Sequence, residues 1–331
     1  MASMIEAENL TKIYNESVKA VDNISFTVNE GELFGFLGPN GAGKTTTIKM
    51  LTTLASITGG RASVAGHDVT KEPYKVRRNI GIVQQDLTVD DDLKGIENLL
   101  LAAKLYHVPN DQARKKADEL LSLVDLKDGA NRLVRNYSGG MRKRLQLIMG
   151  LVHEPRMLFL DEPTLGLDIQ TRTVMWEYIR KLNKDNQMTI FMTTHYLEEA
   201  DSLCDRIAII DHGQIEVSGP PSELKQKIGG DVLEIDVSDS PDLIDFFKQM
   251  PGVREVKQRQ TTFRIKLPSA EEALPTMFEE ISRRGWKVAK ISFEKPSLDQ
   301  VFLEVTGRSM RDADSGGEDS RKQAFMMRRS R

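Results

Sequence analysis

The chain has 331 residues, 39% of them hydrophobic and 29% charged, which is ordinary for a globular protein; its length favours one large domain plus a smaller one. A formal net charge of −3 gives no electrostatic reason to expect a nucleic-acid partner. The single cysteine, Cys204, excludes an internal disulfide framework, and no apolar run reaches the length of a membrane-spanning helix. The first residues also lack a secretion signal, so we expect any action at a membrane to need a partner protein.

Three apolar runs, at residues 5–10, 21–28 and 33–37, predict antiparallel strands at the start of the chain. The third run is also typical of a buried parallel strand, because it enters a glycine-rich stretch without a polar interruption. Tyr14 lies between the first two runs, and its ring could stack on a purine or could simply pack at a strand turn.

The glycine-rich stretch fits the phosphate-binding template G-x-x-x-x-G-K-[ST] at every fixed position, and it reads Gly38-Pro39-Asn40-Gly41-Ala42-Gly43-Lys44-Thr45. Gly41 and Gly43 let main-chain N–H groups point at phosphate oxygens, and a helix predicted from Thr46 adds the partial positive charge of its N-terminus. Lys44 supplies a mobile cation, while Thr45 offers a hydroxyl to Mg²⁺. The alternative is an ordinary glycine turn with a surface lysine.

Further strands are predicted at residues 61–66 and 79–85. Gln85 ends the second strand and could reach a metal ion or an attacking water, although a solvent-facing role is the alternative. From residue 90 to 134 the pattern becomes helical, with one helix starting at Pro109-Asn110-Asp111. We interpret this part as a helical insertion in an α/β core, of the kind that presents a surface to a partner.

Ser138 is predicted to cap the next helix. Gly139 and Gly140 follow it and permit close approach of a ligand to the main chain, so this is a second helix N-terminus suited to an anion. A simple capped helix is the alternative.

Two carboxylates follow the wholly apolar strand predicted at residues 157–160. Because side chains alternate along a strand, Asp161 and Glu162 can have different functions: Asp161 can order Mg²⁺, and Glu162 can take a proton from the attacking water. A polar strand end is the alternative. His195 follows the strand predicted at residues 189–193, where it could hydrogen-bond the terminal phosphate or that water.

With these motifs, residues 4–227 resemble the ATP-binding subunit of an ABC transporter. The resemblance implies a P-loop α/β core with an antiparallel β subdomain and a helical subdomain at about residues 90–153, and it implies ATP and Mg²⁺ as cofactors. Residues 38–45 match the Walker A loop of that family. By the same resemblance, Tyr14 is the residue that stacks on adenine, Gln85 is the glutamine that senses the metal, and residues 137–141 are the signature motif. Asp161 is the Walker B aspartate and Glu162 the catalytic glutamate. Asp168 is the aspartate of the dimer loop, and His195 is the switch histidine. The signature has Tyr137 in place of Leu and Met141 in place of Gln.

The resemblance also implies a homodimer in which two copies pack head to tail. Ser138 and Gly139 of one copy would then cap the γ-phosphate held by Lys44 of the other. A membrane permease on a separate polypeptide would follow the movement of the helical lobes, and the protein would lie peripherally at the cytoplasmic face of the cell membrane.

A small α+β domain is predicted at residues 228–306, because strands at 232–237, 253–256, 262–267 and 286–293 alternate with two helices in the β-α-β-β-α-β order of ferredoxin-like modules. Ser240-Pro241 is the start signal of the first helix, and the second begins either at Ser269 or at Pro275. Residues 295–307 and 85–98 are similar to the daunorubicin-type drug-resistance branch of the family. We assign this domain to dimerisation or regulation.

Residues 307–331 are expected to be a disordered tail, whose basic end is either solvated or weakly attracted to anionic lipid. The function predicted for the whole chain is an ATPase that powers a membrane exporter of drugs or lipid-like molecules. The alternative is a soluble ABC-type ATPase acting on ribosomes or DNA. A P-loop kinase is a third class, but it would not need the Ser138 motif.

Overall fold

The computed structural model describes residues 3–15, 17–227, 230–238, 243–259, 261–310 and 312. The chain forms two compact units: the second is Gly219–Ser309, and the first consists of the described residues before Gly219 together with those from Met310. The sequence analysis ended the first domain at residue 227 instead. The difference arises because the helix Pro221–Lys227 packs against the last helix of the second unit. The start signal Ser240-Pro241 and the tail from residue 313 onward lie outside the described residues.

The strands of the first unit are β1 (Ser3–Tyr14), β2 (Val18–Asn29), β3 (Leu33–Leu37), β4 (Gly59–Val64), β5 (His67–Asp68), β6 (Ile80–Val83), β7 (Met157–Asp161), β8 (Thr189–Thr194), β9 (Arg206–Asp211) and β10 (Gln214–Gly219). Its helices are α1 (Lys44–Leu51), α2 (Pro73–Asn79), α3 (Gly95–Leu105), α4 (Asn110–Leu123), α5 (Gly139–Met149), α6 (Ile169–Lys184) and α7 (Leu197–Leu203), with 3₁₀ turns at Lys127–Gly129 and Val134–Asn136.

Two sheets form the body of this unit. One is four-stranded with order β2-β1-β4-β5 and antiparallel pairing, and the other is six-stranded with order β10-β9-β3-β8-β7-β6. Strand β3 pairs in parallel with β8 and β9, so the antiparallel expectation for residues 33–37 was wrong and the parallel one is confirmed. All five residues of β3 are buried, because both faces of a parallel sheet are covered.

An aromatic cluster joins the two sheets. Phe26 of β2 packs against Phe34 and Phe36 of β3, and Phe191 of β8 contacts all three rings at centroid distances of 5.5–5.9 Å. Such rings bury large apolar areas. The cluster therefore holds in place the strand that leads into the glycine-rich loop.

The helical segment is joined to the parallel sheet through α5. At the C-terminal end of this helix, Gly150 lies so close to β6 that a Cβ on Gly81 would overlap the Gly150 carbonyl oxygen. Further along α5, Lys143 donates a hydrogen bond to the Gln85 carbonyl (2.7 Å) and Gln146 to the Asp86 carbonyl (2.7 Å). Helix α5 is thus fixed at two levels, to Gly81 within β6 and to the residues that follow this strand.

The second unit contains α8 (Pro221–Lys227), β11 (Asp231–Ser238), α9 (Leu243–Gln249), β12 (Glu255–Arg259), β13 (Thr262–Leu267), α10 (Ala270–Arg283), β14 (Lys287–Glu294) and α11 (Leu298–Thr306). Its strands pair antiparallel in the order β12-β13-β11-β14. The β-α-β-β-α-β prediction is therefore confirmed. Phe247, Phe263 and Met277 are among the side chains of its core.

Helix α10 begins at its predicted cap, since the Ser269 side chain accepts a hydrogen bond from the N–H of Glu272. The alternative start at Pro275 was wrong, and this proline lies inside the helix. Pro275 and Glu271 are both exposed, so water can reach the Glu271 carbonyl that the missing N–H leaves without a helical partner. Within the described residues, no helix is both long and apolar enough to cross a bilayer.

Candidate active site

The phosphate-binding template forms a loop between the end of β3 at Leu37 and the start of α1 at Lys44. Gly41 and Gly43 have positive φ values of 87° and 110°. At Gly43 a Cβ would also lie 2.5 Å from the Ala20 carbonyl oxygen, so only glycine fits there. The loop therefore has the tightly curled main chain that an anion cradle needs.

Lys44 is the cation of this loop, and it is only 4% exposed. Its ammonium donates hydrogen bonds to the carbonyl oxygens of Gly38 (2.7 Å) and Pro39 (3.1 Å). It also forms an ion pair with Glu162 Oε1 at 3.1 Å. The positive charge is thus held inside the loop and next to a carboxylate.

Asp161 ends β7 and is buried beside α1. Its Oδ1 accepts hydrogen bonds from the hydroxyls of Thr193 (2.6 Å) and Thr45 (3.2 Å). Burial raises the pKa of Asp161, against the effect of these two bonds. A hydroxyl and a carboxylate are hard oxygen ligands, and Mg²⁺ is usually held by one or two carboxylates together with substrate phosphates, so the donor set fits this ion.

Glu162 has the opposite electrostatic balance. Burial works to raise its pKa, but the hydrogen bond with His195 and the charge of Lys44 outweigh burial and lower the pKa. His195 Nδ1 lies 2.9 Å from Glu162 Oε2. Two adjacent carboxylates with pKa values pushed in opposite directions are typical of a site that divides its acid–base functions. The lowered pKa favours the ionised form of Glu162, which can accept a proton.

The main chain at Glu162 is unusual, since φ is 48° at a residue that is not glycine. This left-handed conformation costs about 1–2 kcal/mol for an ordinary residue. The Glu162 N–H donates to the carbonyl (3.2 Å) and the hydroxyl (3.1 Å) of Thr193, which hold it there. Thr193 thus supports both carboxylates. The sequence analysis missed it, although a threonine in an otherwise apolar strand end was visible.

Four predicted site residues have their observed contacts outside the cluster formed by Lys44, Asp161, Glu162 and His195. Ser138 caps α5 by accepting a hydrogen bond from Met141 N–H (3.2 Å), and Asp168 caps α6 by accepting from Thr171 N–H (2.9 Å). Tyr14 is 36% exposed at the end of β1, with the Lys12 ammonium 4.9 Å from its ring centroid. Gln85 is exposed, and its main-chain carbonyl is the group that Lys143 binds.

Tyr137, at the changed first position of the signature, is buried. Its hydroxyl donates to the Gly129 carbonyl at 2.8 Å, and a Cβ on Gly95 would overlap that hydroxyl. The tyrosine therefore fills a space that the neighbouring glycines leave.

Lys143 and Gln146 were missed by the sequence analysis. They stand three positions apart on α5, so they share one face of the helix, and both are buried. Polar residues at core positions of an apolar helix face were the available signal.

Two family models match the chain: one described as "ABC transporter" at residues 21–165 and one described as "ATP-binding protein DrrA1-3-like, C-terminal domain" at residues 219–306. The chain is 41% identical to the daunorubicin resistance ATP-binding protein DrrA2 of Streptomyces coeruleorubidus, covering 92% of this chain and 95% of that protein. It is 35% identical to the linearmycin resistance ATP-binding protein LnrL of Bacillus subtilis (93% and 100% covered) and to the Nod factor export ATP-binding protein I of Ralstonia nicotianae (93% and 95% covered). A solved dimeric structure of a bacterial ABC transporter cassette superposes with a TM-score of 0.60 at 28% identity, covering 66% of this chain and 98% of that one.

Proposed function

Because this chain belongs to the family of ABC transporter ATP-binding subunits, we propose that two copies bind Mg-ATP between them and that hydrolysis drives export through a separate membrane permease. The chain is an ATPase of the exporter kind, and the alternative of a ribosome- or DNA-directed ATPase is ruled out by its relatives. The contact between Lys44, Glu162 and His195 is the observation that carries the mechanism below.

Lys44 is the group that changes partners when ATP binds. The γ-phosphate oxygens are ionised acceptors that carry more negative charge than the Gly38 and Pro39 carbonyls or the single charge of the Glu162 carboxylate, so they can draw the Lys44 ammonium away from these partners. A lysine that turns to the phosphate releases Glu162 Oε1. The ionised carboxylate can then accept the proton of the attacking water.

His195 keeps Glu162 oriented during this exchange, since its Nδ1 contacts Oε2 and leaves Oε1 to face the water. Mg²⁺ held by Thr45 and Asp161 would supply positive charge to the outer phosphate oxygens. Gln85 is proposed as a further ligand or water contact at the end of β6. Pro39, Asn40, Ala42 and Thr46 complete the loop around the phosphates.

Ser138 and Gly139 are exposed at the N-terminus of α5, a position that suits an anion from another molecule. We assign them, with Gly140 and Asp168, to the ATP bound by a second copy, and we assign Tyr14 to the adenine ring. The dimeric cassette among the similar solved structures supports this arrangement.

The transported molecule is proposed to be a drug or a lipid-like compound, because the relatives are named for daunorubicin resistance, linearmycin resistance and Nod factor export. The second unit is assigned to dimerisation or regulation. The permease would hold the protein peripherally at the cytoplasmic face of the cell membrane.

The substitution Glu162→Gln tests this proposal. It keeps the shape of the side chain but removes the base, so ATP turnover should fall by about 10²-fold or more while ATP still binds. With Mg-ATP the variant should stay dimeric in size-exclusion chromatography with light scattering, whereas the wild type should return to monomers as ATP is consumed.

Glu32→Gln is the matched control. Glu32 is another buried glutamate, but its Oε1 pairs with Arg206 at 3.0 Å rather than with the site. It should retain normal turnover. Near-normal hydrolysis by Glu162→Gln, or a strictly monomeric variant under saturating Mg-ATP, would contradict the proposal.

A further inference from the structure

Glu199 is a fully buried carboxylate that the mechanism above does not use. It lies on α7, four residues after His195. Its Oε1 accepts hydrogen bonds from the hydroxyl of Thr164 (2.8 Å) and from the indole N–H of Trp176 (2.9 Å). A buried carboxylate is costly unless it is hydrogen-bonded, so these two bonds offset part of the cost of burying Glu199.

The partners of Glu199 come from the segment that follows the other hydrolytic residue. Thr164 is buried two residues after Glu162, and Trp176 is on α6. A second contact joins the same segments, since the Arg172 guanidinium lies 4.1 Å from the ring centroid of Tyr196, the neighbour of His195. The segment after Glu162 and the segment after His195 are thus held together by these contacts.

These contacts between the two segments help to hold the strained main chain at Glu162. A left-handed conformation at a non-glycine residue persists only where the surroundings determine it. Thr193 holds the N–H of Glu162 from one side, and the bond between Thr164 and Glu199 holds the chain two residues later.

We propose that Glu199 is a positioning residue: by accepting the Thr164 hydroxyl it fixes the turn after Glu162 against α7, and so keeps Glu162 within hydrogen-bond reach of His195. The proposal rests on the hydrolytic roles proposed above for Glu162 and His195. Trp176 donates to the same Oε1 from α6 and so helps to hold Glu199 in place.

The test compares the kcat and KM for ATP of the purified full chain and its variants, with the bound nucleotide measured so that rates refer to folded, loaded protein. Thr164→Val and Glu199→Ala should lower kcat by about tenfold or more, since a displacement of about 1 Å can cost a factor of 10². KM should change by less than about threefold, because the hydrogen bond between these two side chains lies outside the phosphate loop. Glu199→Gln keeps an acceptor oxygen for Thr164 and should restore most of kcat.

Two controls separate positioning from folding. Thr52→Val removes the hydroxyl of another buried threonine, which donates to Ile48 O (2.7 Å) at the far end of α1, and it should leave kcat unchanged. Trp176→Phe removes the indole N–H together with part of the ring, but it leaves the bond between Thr164 and Glu199 in place and should lower kcat by less than about threefold.

The proposal is overturned if Thr164→Val has the same kcat per bound ATP as Thr52→Val, even when its melting temperature is lower. It is also overturned if Trp176→Phe loses as much kcat as Thr164→Val. Should Glu199→Ala fail to fold, Thr164→Val decides the matter alone. Full activity of Glu162→Gln would be a separate result, because it would remove the proposed hydrolytic mechanism itself.

Discussion

Gly140 offers a way to separate packing from ligand binding at the signature. A Cβ at this position would lie 2.5 Å from Thr171 Cγ2, while the next nearest atom, Thr171 Oγ1, would be at an ordinary 3.5 Å. Thr171 cannot easily rotate away, because its hydroxyl donates to Asp168 Oδ2 at 2.9 Å. We therefore expect Gly140→Ala to overpack this contact, at a cost of about 1–3 kcal/mol.

A second effect of the substitution opposes this loss of stability. Alanine is favoured over glycine in a helix by about 0.5–1 kcal/mol, so the net loss should lie between about 0 and 2.5 kcal/mol, with a middle value of about 1 kcal/mol. Thr171→Ser removes the methyl group that clashes but keeps the hydroxyl bonded to Asp168. In the Thr171→Ser background the same Gly140→Ala change should therefore be stabilising.

The assay is thermal unfolding of all four proteins, in which 1 kcal/mol corresponds to about 2–4 °C for a unit of this size. The expected result is a change of opposite sign in the two backgrounds: Gly140→Ala lowers the melting temperature of the wild type and raises that of Thr171→Ser. Additive effects in the double variant would refute the packing argument. ATPase activity of the stabilised double variant then reports whether a ligand also needs the glycine.

Two further predictions concern stability. Burial lowers the pKa of His153, so the folded state favours the neutral form of this residue. The stability that neutral His153 contributes is therefore lost as the pH falls below the ordinary histidine pKa of about 6.5. The melting-temperature advantage of the wild type over His153→Gln should shrink between about pH 7.5 and about pH 5.5, and an unchanged difference would contradict this prediction. Pro275→Ala should stabilise α10 by about 1 kcal/mol or more, because it restores an N–H that can bond to the Glu271 carbonyl. The unfolding midpoint in urea should therefore rise, and a lower midpoint for the variant would contradict this prediction.

The four charged or titratable groups of the candidate site could be placed together from the sequence because each comes after or at the end of an apolar run. Lys44 begins α1 after the glycine-rich loop that follows β3. Asp161 ends β7 and Glu162 follows it, and His195 follows β8. These strands are parallel neighbours, so their carboxyl ends meet at one edge of the sheet. Motif order along the chain was therefore enough to bring them together.

The supporting contacts could not be predicted in the same way. Glu199 binds Thr164 only because α7 packs beside the turn after Glu162, and no periodicity in the sequence specifies that packing. The edges of the second unit were similarly uncertain. Strand β13 matched residues 262–267, whereas β12 begins two residues later than expected at Glu255, because a polar edge strand lacks the alternation that marks its limits.

Helix α5 is attached at Gly150 and at the Gln84–Asp86 segment, while Ser138 stands at its opposite, exposed end. Its 11 residues make it a rigid rod about 16 Å long, so a tilt of about 10° around the attached end would carry Ser138 by about 3 Å. Because Lys143 lies between Gly150 and Ser138, a shift of the Gln84–Asp86 segment that tilted the helix about Gly150 would move Ser138 further than it moved Lys143. The exposed end of α5 and the end of β6 would then be coupled through the rigidity of one helix.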